Sequence, residues 1–318
     1  MIVRGPFILL TSAVTAFIAD LFEPEKRGRM LGIYQAVSGA GSIIGPITSG
    51  FLIASFFYDG YFLFATSTAL VSLFFAFLIK ESKADIIRLA DYFKRLKDFK
   101  MPKFQLTYFR LTLVENKVLI RFYIARLCDV ARTMYYTLFP IFLKNVIGLE
   151  MTELGILYSV STIMTLVGSP LFGVVSDKVG RKPLLYAGIL TSACTLILYT
   201  QVNTFNEVLF IRSVESAALA AIMIASNAFL TDLLPASHRG LGINLFSFLS
   251  GILTSVASML GGILAYYYGW NLLIYASAGI PLIGGIILFT VPEQINVRRD
   301  RSAINDPKAK ELTITDGT

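Results

Sequence analysis

The chain has 318 residues, of which 55% are hydrophobic and only 15% are charged. An average soluble domain has about 25% charged residues. This composition excludes a disordered chain and a disulfide-stapled secreted domain, and it disfavours a soluble enzyme. The mean hydropathy of +0.67 and the net charge of +7 point instead to a basic, multi-spanning membrane protein.

Apolar runs of about 20 residues, the length that crosses a bilayer as a helix, recur along the whole chain. Each run is too long for the roughly ten alternating residues of a membrane barrel strand. The first run follows Met1 without a basic region or cleavage site, so it does not resemble a signal peptide. The sequence therefore predicts nine transmembrane helices, at residues 2–22, 30–57, 61–79, 119–143, 154–175, 184–201, 208–234, 243–268 and 272–291.

Lys and Arg residues fall almost entirely in alternate connections between these runs. One set of connections, with the tail, holds twenty-two of them, and the other set holds only Lys144. This asymmetry follows the positive-inside rule. It predicts a multi-pass protein of the cell membrane. The net positive charge then reflects the topology and the attraction of basic loops to anionic lipid headgroups, and it does not indicate nucleic-acid binding. The basic segments, predicted to be cytoplasmic, are 23–29, 80–118, 176–183, 235–240 and the residues after 291.

The long basic linker divides the chain into three spans and six spans. We expect a partial N-terminal helical bundle at 1–79, a cytoplasmic linker at 80–118, a six-helix bundle at 119–292 and a cytoplasmic tail at 293–318. Within the linker, apolar residues recur at helical spacing among charged ones. This pattern predicts an amphipathic helix on the inner membrane surface.

Residue types that carry enzymatic chemistry are scarce. Cys128 and Cys194 lack the C-x-x-C spacing, and His238 is the only histidine. These residues do not supply a zinc site or a catalytic triad, and the sequence has no P-loop. We therefore predict no metal, no cofactor and no enzymatic activity.

A repeat links the two groups of spans. Residues 12–52 and 224–264 align without gaps and share 11 identities. Each copy has a span ending in Asp, a short loop ending in Arg-Gly, and a Gly-rich span. Two copies of one bundle around a central site are typical of secondary transporters. Three spans precede the second copy and none precedes the first, so we expect the first bundle to lack three spans.

Two motifs now carry a resemblance to a known family. Residues 173–182 read G-V-V-S-D-K-V-G-R-K, and residues 41–50 read G-S-I-I-G-P-I-T-S-G. The first fits an inner-loop motif, and the second resembles an "antiporter" motif with Ser49 in place of Gly. With the repeated loop, they make the chain similar to the major facilitator superfamily of transporters, in its drug–proton antiporter form. The resemblance implies an all-α integral membrane protein that covers helices four to twelve of the usual twelve.

The inner-loop motif is interpreted as a gate. Gly173 and Gly180 permit close packing and a tight turn. The resemblance implies that Asp177 meets the start of the family's fifth helix, near Gly28–Met30, where a carboxylate is favoured. The alternative is an ordinary tight turn in a basic loop. We expect Arg181 to pair with Asp232, and the set of gate residues is Gly173, Asp177, Gly180, Arg181, Lys182 and Asp232.

The second motif lies inside the span 30–57. Gly41 and Gly45 are one helical turn apart and allow close packing, Pro46 allows a kink, and Gly50 ends the motif. The resemblance links this motif to export. The alternative is plain helix packing, which occurs in either direction of transport.

Charges inside spans are costly and usually functional. Arg126, Asp129 and Arg132 are spaced by three, as are Arg212 and Glu215. The resemblance implies that their spans line a central cavity. In one interpretation an acid carries a proton and the arginines meet a solute. In the other, the acids are permanent structural partners of the arginines.

We therefore expect a secondary active transporter, proton-coupled and exporting a small organic solute by alternating access. Its partners would be the lipid bilayer, a proton and an anionic or neutral solute, together with an N-terminal segment that is missing here. One alternative is a non-transporting truncated remnant or one half of a split transporter, and another is uptake of an organic anion. Reading the DNA upstream of Met1 for a second inner-loop motif distinguishes the truncated case.

Overall fold

A computed structural model of the chain describes residues 24–78, 117–234 and 239–292, and no strand occurs among them. The predicted first span, the amphipathic helix of the linker and the tail lie outside these residues. The helices, numbered in chain order, are α1 Pro24–Leu78, α2 Lys117–Asp129, α3 Thr133–Tyr136, α4 Phe139–Phe142, α5 Met151–Val179, α6 Arg181–Leu198, α7 Phe205–Leu233 and α8 Arg239–Phe289.

Four of these helices, α1, α5, α7 and α8, are long and apolar enough to cross a membrane. Many large apolar side chains on them are exposed, among them Phe62, Leu171 and Ile286. A soluble monomer rarely exposes apolar patches on this scale. A surface that faces lipid chains has to expose them, so the pattern agrees with a membrane protein.

The two longest helices each contain one non-helical residue. In α1 this residue is Phe57, with φ 55° and ψ −167°, and in α8 it is Gly269, with φ 83° and ψ 175°. Phe57 is the last residue of the predicted span 30–57, and Gly269 lies in the connection that follows the span 243–268, so the arms on either side correspond to separate predicted spans. They are also 212 positions apart, which is the offset of the sequence repeat. The repeat therefore extends to the backbone break in each copy.

The predicted span 119–143 is not one continuous helix. After α2 the chain forms a 3-10 turn at Val130–Arg132, the short helices α3 and α4, and a π-helical turn at Leu143–Ile147. Pro140 is one physical cause, because it has no N–H to donate to the carbonyl of Tyr136 and its ring crowds that carbonyl. The interruption falls next to the charged residues that the sequence analysis singles out.

The described residues belong to two compact units. The first comprises 24–78 with 150–159, that is, α1 with the first turns of α5. The second comprises 117–149, 160–234 and 239–292.

The core of the second unit lies among α2, α6, α7 and α8. Phe122 and Phe229 stack at its centre, with ring centroids 5.0 Å apart. Glycines let the helices approach closely there, since a Cβ on Gly188 would lie 2.6 Å from Cγ1 of Ile222. Such small-residue contacts are the usual way in which helices pack inside a bilayer.

Candidate functional site

A charged cluster forms where α2 gives way to the 3-10 turn. Asp129 Oδ2 accepts hydrogen bonds from Arg126 Nη1 at 2.5 Å and from Arg132 Nη2 at 2.6 Å. In a 3-10 turn, side chains three residues apart lie one above the other, so the local backbone brings Arg132 directly to Asp129. Arg132 Nε also donates to the backbone carbonyl of Asp129 at 3.2 Å.

Serines from neighbouring helices complete this cluster. Arg126 Nε donates to Ser226 Oγ of α7 at 2.7 Å, and Arg132 Nη1 donates to Ser192 Oγ of α6 at 3.1 Å. The other carboxylate oxygen, Asp129 Oδ1, is buried and has no hydrogen-bond partner among the described residues. The cluster thus carries a net positive charge and one unsatisfied buried acceptor.

A second cluster surrounds Glu215 on α7, which is 0% exposed. Its Oε1 accepts from the Tyr136 hydroxyl at 2.5 Å, and its Oε2 accepts from the Tyr199 hydroxyl and from Arg212 Nη1, both at 2.9 Å. Arg212 Nε donates to Ser161 Oγ at 2.8 Å. Both oxygens of Glu215 are therefore satisfied, in contrast to those of Asp129.

Aromatic rings hold Arg212 in place. Its guanidinium carbon lies 5.3 Å from the ring centroid of Tyr136 and 5.1 Å from that of Phe139. These distances are within the range of cation–π interactions, which strengthen when the cation is removed from water. The Arg212–Glu215 ion pair is therefore buried and in contact with side chains from several helices, and its two charges cancel.

A cavity of about 270 Å³ lies beside the first cluster and within the second unit. Its lining includes the charged residues Arg126, Asp129 and Arg132 and three residues of α8. Tyr136 also borders it, so the hydroxyl group that binds Glu215 belongs to a residue on the cavity wall. The remaining lining residues are Val130, Thr133, Phe246, Ser250 and Thr254.

The inner-loop motif forms a turn at Gly180, and the two basic residues after it make separate contacts. Gly180 has φ 106°, a conformation that residues with a Cβ rarely adopt. Arg181 Nη1 donates to Asp232 Oδ2, the partner expected from the sequence, and also to the carbonyl of Ala228 at 2.5 Å. Lys182 does not join this pair. Its Nζ donates to the carbonyls of Phe289 and Val291, at 3.1 and 2.6 Å.

Lys182 therefore caps the carboxyl end of α8, where a cation is favoured by the helix dipole and by the unpaired carbonyls. Arg121 of α2 donates to the next carbonyl, that of Thr290, at 3.3 Å. These contacts place the amino ends of α2 and α6 and the carboxyl end of α8 at the same end of the second unit. The linker enters α2 at this end, and the tail leaves α8 there.

The other two residues of the motif have less marked surroundings. Asp177 is exposed, and it makes no hydrogen bond or ion pair with another described residue. Its expected contact with the start of the family's fifth helix stays a prediction. Gly173 lies within α5, and no described atom lies within 4 Å of a Cβ built on it.

The glycine–proline motif forms a close helix crossing in the first unit. A Cβ on Gly50 would lie 2.5 Å from the carbonyl oxygen of Met151, and one on Gly155 would lie 2.5 Å from that of Pro46. Ser159 Oγ fastens the same crossing by donating to the carbonyl of Ile43 at 2.6 Å. The first turns of α5 therefore lie against the second half of the motif.

Close packing at the first half of the motif stays a prediction. No described atom lies within 4 Å of a Cβ built on Gly41 or Gly45. In addition, the residue of α1 with non-helical backbone angles is Phe57 and not Pro46. Small residues in a sequence do not reveal which face of the helix meets its neighbour, and here the meeting point is Gly50.

Several site residues are absent from the sequence-based set. Tyr136, Tyr199, Ser161, Ser192 and Ser226 each bond a buried charge. A polar residue inside a span needs a hydrogen-bond partner, and this need could in principle identify site residues. The chain has many serines and tyrosines in its spans, so this criterion does not single out these five. Among the described residues, no three His, Cys, Asp or Glu side chains form a group that could hold a metal ion.

Comparison with known proteins gives consistent matches. The chain is 26% identical over 269 residues to multidrug resistance protein 2 of Bacillus subtilis (strain 168), a match that covers 82% of this chain and 64% of that protein. It is 24% identical over 281 residues to multidrug resistance protein MdtG of Escherichia coli (strain K12 / DH10B), covering 85% of this chain and 65% of that protein. The chain thus spans less than two thirds of the length of these relatives.

The structure and the family profile agree with these relatives. The crystal structure of a D-xylose-proton symporter superposes with a TM-score of 0.63 at 18% identity, covering 88% of this chain and 67% of that one, and supports the fold alone. The relatives are named as resistance and transport proteins, which agrees with the prediction that the chain is not an enzyme. The Major Facilitator Superfamily profile matches residues 7–128 and 122–313, so the chain belongs to this family of membrane proteins.

Proposed function

We propose that the chain is a secondary active transporter that exports a small organic solute in exchange for protons, by alternating access. The observation that carries this proposal is the state of Asp129. Its Oδ1 atom is buried, unsatisfied and part of a residue that lines the cavity, about halfway along the segment 117–147. An unsatisfied buried carboxylate oxygen favours a ligand that brings it a hydrogen-bond donor.

Exchange follows from competition at this atom. A proton and a solute donor cannot both occupy Oδ1, so binding of one favours release of the other. The two arginines act as positioning residues, because they fix Oδ2 and thereby hold Oδ1 in one orientation. The names of the two multidrug resistance relatives support export as the direction.

Glu215 has a different role in this proposal. Both of its oxygens already accept hydrogen bonds, and none of its surface is exposed. It is a positioning residue that holds the hydroxyl group of Tyr136, which in turn borders the cavity. Asp129 is then the carboxylate that exchanges protons during transport.

The inner gate is assigned to the inner-loop motif, and the glycine–proline motif is given a packing role. The Arg181–Asp232 pair and the Lys182 cap stabilise the basic end of the second unit, which the positive-inside rule assigns to the cytoplasm. The linker and the tail leave the second unit at this end and are proposed to be cytoplasmic. The Gly50–Gly155 crossing stabilises packing in the first unit near the start of α5.

Everted membrane vesicles containing the full chain test the proposal. Their acidic interior drives uptake of an exported solute, and the probes are ethidium, phenylalanine and benzoate as a cation, a zwitterion and an anion. We expect accumulation of at least one probe that nigericin abolishes, loss of it in Asp129→Asn, and retention in the exposed control Asp59→Asn. Accumulation that ignores the proton gradient, or that persists in Asp129→Asn, contradicts the proposal.

The same assay separates the proposal from its main rival. If no probe accumulates although the protein is present in the vesicles, the result favours a chain that does not transport by itself. That reading is motivated by the length of the chain, since it covers 64% and 65% of its two multidrug resistance relatives.

A further inference from the structure

The two oxygens of Asp129 differ in a way that specifies a ligand. Oδ2 accepts from Arg126 at 2.5 Å and from Arg132 at 2.6 Å, whereas Oδ1 is buried and accepts from no described group. Asp129 is 3% exposed, so a donor in the cavity reaches this oxygen when the carboxylate turns towards it. Leaving a buried charged acceptor without a donor is unfavourable. A ligand with an N–H or O–H group that reaches Oδ1 removes this penalty.

The arginines of the same cluster retain unused donors. A guanidinium has five N–H donors. Arg126 uses two of them in its bonds to Ser226 and Asp129, and Arg132 uses three in its bonds to Ser192 and Asp129. Three N–H groups of Arg126 and two of Arg132 therefore have no acceptor among the described residues. Guanidinium groups bind carboxylates strongly, often through two parallel hydrogen bonds.

The charge of the cluster also favours an anionic group. Two guanidiniums and one carboxylate leave one uncompensated positive charge at the cavity wall. No other charged side chain lines the cavity, as far as the described residues go, since α8 contributes Phe246 with the hydroxyls of Ser250 and Thr254. The lining thus combines two guanidiniums, one carboxylate and one apolar ring.

We infer that this cavity binds an amphoteric solute, with a carboxylate and an N–H donor on neighbouring atoms, as in an amino acid or an amino-acid derivative. The carboxylate binds the spare N–H groups of Arg126 and Arg132, and the ammonium or amide N–H donates to Oδ1 of Asp129. A purely cationic solute meets two guanidiniums, and a purely anionic one leaves Oδ1 unsatisfied. The inference rests on the proposed function and names the substrate class of its site.

Equilibrium binding to the purified full chain in nanodiscs tests this inference. Two sets of probes share a side chain and differ in their polar groups: phenylalanine, 3-phenylpropionate and 2-phenylethylamine, and then leucine, 4-methylpentanoate and 3-methylbutylamine. In at least one set, we expect the amino acid to bind at least tenfold more tightly than either analogue. Asp129→Asn is expected to bring the amino acid within about threefold of its carboxylate analogue.

The comparison of probes on the unaltered protein does not depend on whether the variant folds. The inference is overturned if the carboxylate analogues bind as tightly as the amino acids, if the amines bind most tightly, or if neither amino acid binds. Proton-driven transport of another solute, such as ethidium, leaves the proposed function standing in each of these cases. Failure of the inference is thereby distinguishable from failure of the transport proposal.

Discussion

Removing the charge of Glu215 while keeping its shape tests the buried network of the second unit. In Glu215→Gln the amide still accepts at one oxygen, but Arg212 becomes a buried cation without the carboxylate that lies 2.9 Å from its Nη1. Breaking one partner of a buried ion pair costs about 3–5 kcal/mol. The bond of Arg212 to Ser161 and its contacts with the rings of Tyr136 and Phe139 persist, so we expect a loss of about 3 kcal/mol.

The double variant Arg212→Gln/Glu215→Gln makes the test specific to the ion pair. Because both buried charges are gone, its loss should fall short of the sum of the two single losses by at least about 1 kcal/mol. Unfolding by dodecyl sulfate in mixed micelles, followed by the fluorescence of Trp270, reports the free energy of unfolding. Trp270 is the single tryptophan, and its ring centroid lies 5.4 Å from that of Phe142.

The control for this series is Glu150→Gln, which neutralises an exposed carboxylate. Surface changes of this kind usually stay within about 0.5 kcal/mol of the parent. A Glu215→Gln variant as stable as this control, or a double variant whose loss equals the sum of the single losses, refutes the reasoning that Arg212 depends on Glu215.

Two further predictions concern the backbone. Phe57 has backbone angles of a region that is almost exclusive to glycine, which costs about 1–3 kcal/mol, and its counterpart in the repeat is Gly269. Phe57→Gly should therefore raise the melting temperature of the protein. An unchanged or lowered melting temperature argues against strain at this residue. Gly155→Ala introduces a Cβ 2.5 Å from the carbonyl oxygen of Pro46, so it should lower the melting temperature. Gly41→Ala, where no described atom lies within 4 Å of the new Cβ, serves as a near-neutral control. Equal effects of the two alanine substitutions contradict the described crossing.

Local contacts of the site were accessible to prediction from the sequence. A charge in an apolar span needs a partner, and the nearest one on a helix is three or four residues away. The pairing of Arg126 and Arg132 with Asp129, and of Arg212 with Glu215, follows from this spacing. The pairing of Arg181 with Asp232 depended on a family motif, because these residues are far apart in the chain.

Tertiary contacts of the site were not accessible in the same way. Tyr136, on the short helix α3, bonds Glu215 only because the predicted span is interrupted after Asp129. The sequence shows Pro140 but not how far upstream the helix is disturbed. The difference between Asp129 and Glu215 was equally hidden, since both are acids beside an arginine, and it arises from the donors that other helices supply.

The position of close helix packing was hidden for a similar reason. Gly41, Gly45 and Gly50 all belong to one motif, yet only Gly50 meets a described neighbour. Its partner Gly155 lies outside any motif that the sequence analysis recognised. A pattern of small residues shows that close approach is possible, whereas the partner helix decides where it occurs.

The central claim is that Asp129, and not Glu215, is the carboxylate that exchanges protons in the cavity. Dicyclohexylcarbodiimide reacts with protonated carboxyl groups that it can reach, and mass spectrometry of the labelled full chain in membranes locates the adduct. The account predicts an adduct on Asp129, reduced when a transported solute is present, and none on Glu215. An adduct on Glu215, or a complete absence of labelling at Asp129, would contradict it.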